Sequence, residues 1–193
     1  MIKIGLTGGI GSGKSVVGRL LELEGIPVYI ADMESKRLTN TSPVIRERLI
    51  ALFGKEIYTA EGLDKKLLAS RIFNKPDNLK QVNEIIHPEV NKHFLAWANK
   101  QKTNYCAIES AILFESGFDR LVDIRLMVYA PLSLRIERVR TRDQLSLQEV
   151  ENRIHNQWPD EIKKEKSDYI IYNDDMHALL PQVTRFITSL QSN

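Results

Sequence analysis

Residues 8–15, Gly8-Gly9-Ile10-Gly11-Ser12-Gly13-Lys14-Ser15, spell G-x-x-x-x-G-K-S, and no other stretch of the chain restricts its fold as much. The pattern demands a strand before it and a helix after it. Ile2, Ile4 and Leu6 alternate with smaller or polar residues, as in a short strand. Val16, Val17, Leu20, Leu21 and Leu23 follow at near-helical spacing. Between them, the glycines let the backbone turn several N–H groups toward one phosphate, where the helix N-terminus adds partial positive charge. Lys14 is expected to reach the β- and γ-phosphates and the Ser15 hydroxyl to ligate Mg²⁺. The stretch predicts a nucleoside triphosphate site.

A chain of 193 residues suits one domain, with room for an inserted subregion. Its 42% apolar and 27% charged residues are those of a soluble globular protein. The net charge of +2 points to neither nucleic acid nor membrane as the main partner. Cys106 is the only cysteine, so no intrachain disulfide forms, and its apolar surroundings predict a core position. No signal peptide is visible and no apolar run reaches membrane-spanning length, so a cytoplasmic location is the default expectation.

After the first helix, Gly25 is a stop and Val28 to Ala31 read as a second strand running into Asp32. Asp32 has two readings. It is a carboxylate on the ligand side of an open α/β sheet, or the N-cap of the helix that follows. Residues 33–100 read as mostly helical, without a strand. Within them His87-Pro88 predicts a helix boundary. Such a block between the second and third strands is a candidate acceptor-binding region. Asn74-Lys75-Pro76-Asp77 matches the guanine-reading N-K-x-D, but it follows a helix-period segment and no D-x-x-G accompanies it.

Tyr105 to Leu113 predicts the next buried strand. Glu109 and Glu115 are both placed to support Mg²⁺ or its waters, and the spacing does not choose between them. Either is also placed to pair with a nearby cation. A further strand spans Ile124 to Tyr129. Ser133 to Arg142 then reads as a helix with Leu134, Ile136 and Val139 inward and Arg135, Arg138 and Arg142 on one face. Residues 142–160 are polar, helical and poor in core residues. They read as a lid that closes over the triphosphate, or as a solvated arginine-rich helix. Ser167 to Asn173 gives the last strand, with Asn173 at its ligand end, and a helix from His177 to about Leu190 completes the chain.

Taken together these segments resemble the dephospho-coenzyme A kinase family over essentially the whole length. The resemblance is carried by Leu-Thr-Gly-Gly-Ile-Gly-Ser-Gly-Lys-Ser at the phosphate loop, Ala31-Asp32, Arg71-Ile72-Phe73, His87-Pro88 and Leu113-Phe114-Glu115. It continues through Arg138, Arg142-Asp143, Arg153-Ile154 with Gln157, and Asp168 to Ile171 before Asn173. The chain departs from the family's usual pattern at Ile30, Val16, Glu109, Ala111, Arg135 and Asp174-Asp175.

The resemblance implies an α/β P-loop kinase, one domain over residues 1–193. A parallel sheet is flanked by helices, with a helical acceptor region and a lid. It implies phosphoryl transfer from ATP, with Mg²⁺, to the ribose 3′-hydroxyl of dephospho-coenzyme A. Gly11, Ser12, Gly13, Lys14, Ser15, Val16 and Asn173 would hold ATP, with Ser15 on the metal. Asp32, Lys14, Arg138 and Arg142 would be catalytic. Asp32, His87, Leu113, Phe114 and Glu115 would face the acceptor. Both partners are small molecules, without nucleic acid or membrane, and a monomer is expected. The competing class is a P-loop regulatory NTPase, which would need switch loops or a borrowed arginine. This chain instead carries its own arginines after the fourth strand.

Overall fold

Strand β1 (Ile2–Thr7) lies at the centre of a five-stranded sheet and hands the chain directly to helix α1 (Lys14–Leu23). A computed structural model describes residues 1–73 and 75–191; Asn74, where the N-K-x-D match begins, lies outside the described residues. The chain divides into two compact units, residues 1–30 with 100–193, and residues 31–99. In the first unit, β2 (Val28–Ile30), β5 (Tyr105–Glu109), β6 (Ile124–Tyr129) and β7 (Tyr169–Tyr172) join β1 in the order β2-β5-β1-β6-β7. Every neighbouring pair is parallel, and the register sets Ile2 beside Tyr105 and Ile4 beside Ile124. Strands covered on both faces read as near-continuous apolar runs. Ile4, Leu6, Leu126 and Val128 pack there with Val17 and Leu21 of α1 and Val183 and Phe186 of α9 (Leu179–Gln191). Cys106 is in the core, as its surroundings predicted, and burial pushes its thiol upward. Helices α6 (Leu132–Asp143), α7 (Leu147–His155) and α8 (Asp160–Glu165) connect β6 to β7.

The unit of residues 31–99 holds α2 (Ala31–Thr41), α3 (Pro43–Phe53), α4 (Lys65–Ile72) and α5 (Pro76–Ala98). Ser42 caps α3 through the Ile45 N–H and Asp64 caps α4 through the Leu67 N–H. Between α3 and α4 runs a hairpin, β3 (Tyr58–Thr59) with β4 (Gly62–Leu63), in a stretch expected to lack strands. Two-residue strands are too short to show alternation. Asn40 secures the hairpin by accepting the Leu63 N–H, and the Tyr58 hydroxyl donates to the Thr39 carbonyl.

Two expected boundaries move. The helix runs through Pro88, which lies inside α5. An interior proline costs roughly 3 kcal/mol. Beyond it, however, the continued helix buries Val90 and Phe94, each contributing about 1.5–3 kcal/mol. Conversely, β5 stops at Glu109 and not at Leu113. The Ser110 N–H makes a last bond to the Leu6 carbonyl, then the Ser110 hydroxyl accepts the Ile112 N–H and turns the chain. Among the described residues, no helix is long and apolar enough to cross a membrane.

Candidate active site

The loop of residues 8–13 leaves β1 at Thr7 and enters α1 at Lys14. Gly13 stands at the helix flank with φ 94°, and a Cβ there would run into the Asn173 side-chain amide. Both the left-handed conformation and the close approach require glycine. That amide donates to the Ser12 carbonyl at 2.8 Å, while the Asn173 N–H donates to the Tyr129 carbonyl at 2.8 Å. The carboxyl ends of β6 and β7 thus hold Asn173 against the loop. Lys14 arches back so that Nζ donates to the Gly9 carbonyl at 3.3 Å. The Ser12 hydroxyl is buried without a hydrogen-bond partner, and Val16 is exposed.

The two acidic candidates separate clearly. Ser15 Oγ donates to Glu109 Oε1 at 2.9 Å, so the helix start and the end of β5 present two hard oxygen donors side by side. That donor set suits Mg²⁺, which takes one or two protein oxygens together with phosphates. Glu115 is engaged elsewhere. It pairs with Lys163, a fully buried ammonium, at 2.8 Å, and accepts the Trp158 N–H at 2.7 Å. Lys163 also donates to the Ala111 carbonyl at 2.7 Å. Phe114 stacks on Trp158 with centroids 6.3 Å apart. Leu113 is fully buried and packs over Gly5.

The three arginines of α6 do not act as one face. Arg135 is buried with Val139, whereas Leu134 and Ile136, expected inward, are only half-buried. The reason is that Arg135 pairs with Asp160 at 2.7 Å. Burial pushes the Asp160 carboxyl up, against the pull of the Arg135 guanidinium. Arg138 braces the turn after β7, donating to the Asn173 carbonyl at 3.0 Å and pairing with Asp175 at 2.6 Å. Arg142 is exposed and binds Asp143 through two hydrogen bonds of 2.7 and 3.0 Å, and Arg153 reaches the same carboxylate at 3.3 Å. The Arg142 hydrogen bond holds the Asp143 carboxyl below its ordinary range.

In the unit of residues 31–99, Asp32 is the second residue of α2 and exposed. It occupies the first turn, where the helix dipole favours a carboxylate, and not the flanking cap position. His87 is half-buried on α5, and burial lowers its pKa below the ordinary 6.5. Sequence reasoning singled out neither Asp160 nor Lys163. Both lie in Asp160-Glu161-Ile162-Lys163-Lys164-Glu165, which reads as a solvated charge run and carries no local signal of burial.

A family model described as "CoaE: Dephospho-CoA kinase" matches residues 2–178. The chain is 49% identical over 190 residues to a dephospho-CoA kinase of Bacteroides fragilis (strain YCH46), covering 98% of this chain and 93% of that one. A crystal structure of TT1252 from Thermus thermophilus superposes with a TM-score of 0.83 at 32% identity, covering 99% of this chain and 96% of that one. Dephospho-CoA kinase from Campylobacter jejuni shares the fold, with a TM-score of 0.70 at 24% identity and 98% and 97% coverage.

Proposed function

The chain belongs to the dephospho-coenzyme A kinase family, and on that premise we propose how its residues share the work of the reaction. The reaction is ATP-dependent phosphorylation of dephospho-coenzyme A to coenzyme A, the final step of coenzyme A biosynthesis. The acceptor atom is the ribose 3′-hydroxyl. The enzyme works as a cytoplasmic monomer on two small molecules, apart from nucleic acid and membrane. Nothing favours a regulatory NTPase.

One observation carries the residue assignment: a phosphate loop set between β1 and α1, with Ser15 Oγ 2.9 Å from Glu109 Oε1. Gly11 to Val16 embrace the triphosphate, and Asn173 borders the adenine side. Lys14 exchanges its bond to the Gly9 carbonyl for the β- and γ-phosphates. Ser15 and Glu109 would hold Mg²⁺, which neutralises charge across the β- and γ-oxygens when bound. Arg142 leaves Asp143 for the phosphoryl group in flight. The exchange costs little, because water and salt already screen an ion pair at the surface. Arg138 steadies the turn beside Asn173 and adds positive charge. Asp32 orients the acceptor hydroxyl and takes its proton. His87, in the helical region of residues 31–99, is assigned to the acceptor, as are Phe114 and Glu115 of the sheet unit. Residues 142–160 act as the lid that excludes water.

A coupled assay of ADP release, run with and without dephospho-coenzyme A, tests this reading. ADP should track acceptor one for one. Lys14→Ala should stay folded and lose ~2–4 kcal/mol of transition-state stabilisation. Hydrolysis at the full rate without acceptor, or wild-type turnover by folded Lys14→Ala, would contradict it.

A further inference from the structure

Ile10, at the apex of the phosphate loop, is gripped on both sides of its backbone. Its N–H donates to Gln157 Oε1 at 2.9 Å, and its carbonyl accepts from Arg135 Nη1 at 3.4 Å. These groups belong to successive peptide planes, 9–10 and 10–11, so both planes are restrained. Arg135 lies on α6 and Gln157 follows α7, so the grips come from opposite flanks of the segment between them. The flanks are also tied to each other, because Arg135 Nη2 meets Asp160 Oδ2 at 2.7 Å with side chains only 5% and 11% exposed.

The guanidinium presses directly on the loop: a Cβ at Gly9 would collide with Arg135 Nη1. Arg135 Nε is meanwhile buried without a hydrogen-bond partner. A buried cation with an orphaned N–H is a costly way to fill space, and an apolar side chain of similar volume would seal the same gap. Val139, one turn further along α6, meets the loop at Gly11 with an apolar side chain. What arginine adds is one Nη donor to the Ile10 carbonyl and, on the same plane, the other Nη paired with Asp160.

We propose that Arg135, Asp160 and Gln157 form a clasp that positions the apex of the phosphate loop, which makes Arg135 a positioning residue for phosphoryl transfer. The inference rests on the reading of the loop as the ATP site. The clasp keeps the loop N–H groups aimed before ATP arrives, so less order is lost on binding. It also joins the loop to both flanks of residues 144–156, so a movement of that segment is felt at Ile10.

Steady-state kinetics of Arg135→Met, Asp160→Asn and Gln157→Leu, varying each substrate in turn well below each variant's Tm, test the clasp. The kcat/KM for ATP should fall about tenfold to a hundredfold, the scale of a small misplacement at a reacting centre. The KM for dephospho-coenzyme A should stay at its wild-type value. Arg135→Met combined with Gln157→Leu should cost less than the two single effects together, because both act through Ile10. A purely structural pair would lower Tm and leave kcat and both KM values unchanged, and that result overturns the proposal. Strict additivity overturns it as well. Should Arg135→Met fail to fold, Gln157→Leu and Asp160→Asn decide by the same readouts. Wild-type turnover in the same assay reports separately on the reaction, so a silent clasp and a wrong reaction give different results.

Discussion

Replacing one carboxylate oxygen of Asp32 by an amide nitrogen removes its basicity and little else. Asp32 is exposed in the first turn of α2, so its charge contributes only a few tenths to about 1 kcal/mol through the helix dipole. Asp32→Asn should therefore leave the thermal midpoint and ATP affinity near wild type. As the acceptor's base, however, its loss should lower kcat by ~10²-fold or more. A lowered midpoint with kcat unchanged would make Asp32 structural. At this scale the sequence is uneven. The phosphate loop is legible because its meaning is local, eight consecutive residues with strand and helix on either side. Glu109 and Glu115 are equivalent on paper, since what separates them is Ser15 at one and Lys163 at the other, partners 94 and 48 positions away. Arg135 reads as part of a basic face because nothing in its neighbours announces Asp160 or Ile10.

Among the elements, the loop of residues 111–117 and helix α8 stand or fall together. Lys163 is fully buried, and Glu115 accepts from it and from the Trp158 N–H. Lys163→Met strands the Glu115 carboxylate in a dry site and should destabilise the protein by about 3–5 kcal/mol. Adding Glu115→Gln removes the stranded charge and keeps an acceptor for Trp158, so much of the loss should return. Urea unfolding of the single and double variants measures both effects. A double variant no more stable than Lys163→Met would show that the charge is not the cause. Elements were legible where they were long and periodic, as in α1, β6 and α9. They were not where tertiary burial overrode a local rule, at Pro88, or where two-residue strands left no pattern, at Tyr58–Thr59 and Gly62–Leu63.

The molecule as a whole should respond to acid through His87. Burial lowers its native pKa below the ordinary 6.5, so the unfolded chain takes up the proton first. Stability then rises with pH through this window. The full contribution of neutral His87 is present above about pH 6.5 and is lost progressively as pH falls toward the native pKa. Asp143, Glu149 and Asp174 are held below their ordinary values by hydrogen bonds from Arg142, Ser146 and His177, so they lose their contributions only in stronger acid. Thermal midpoints at pH 7.5 and 5.5 should differ less for His87→Gln than for wild type, and equal differences would remove His87 as the cause. The sheet order bears on how the chain is made. β1 is central, yet it pairs with β5 and β6, and its Ile2 meets Tyr105. A ribosome adding about 5–20 residues per second leaves β1 without a neighbour for several seconds or longer. Residues 31–99 are one continuous stretch that forms a compact unit, and the ribosome makes all of it before β5, the first strand with which β1 pairs. The strand that carries the phosphate loop waits through that interval with both edges open, and a chaperone that covers extended apolar chain would find it then.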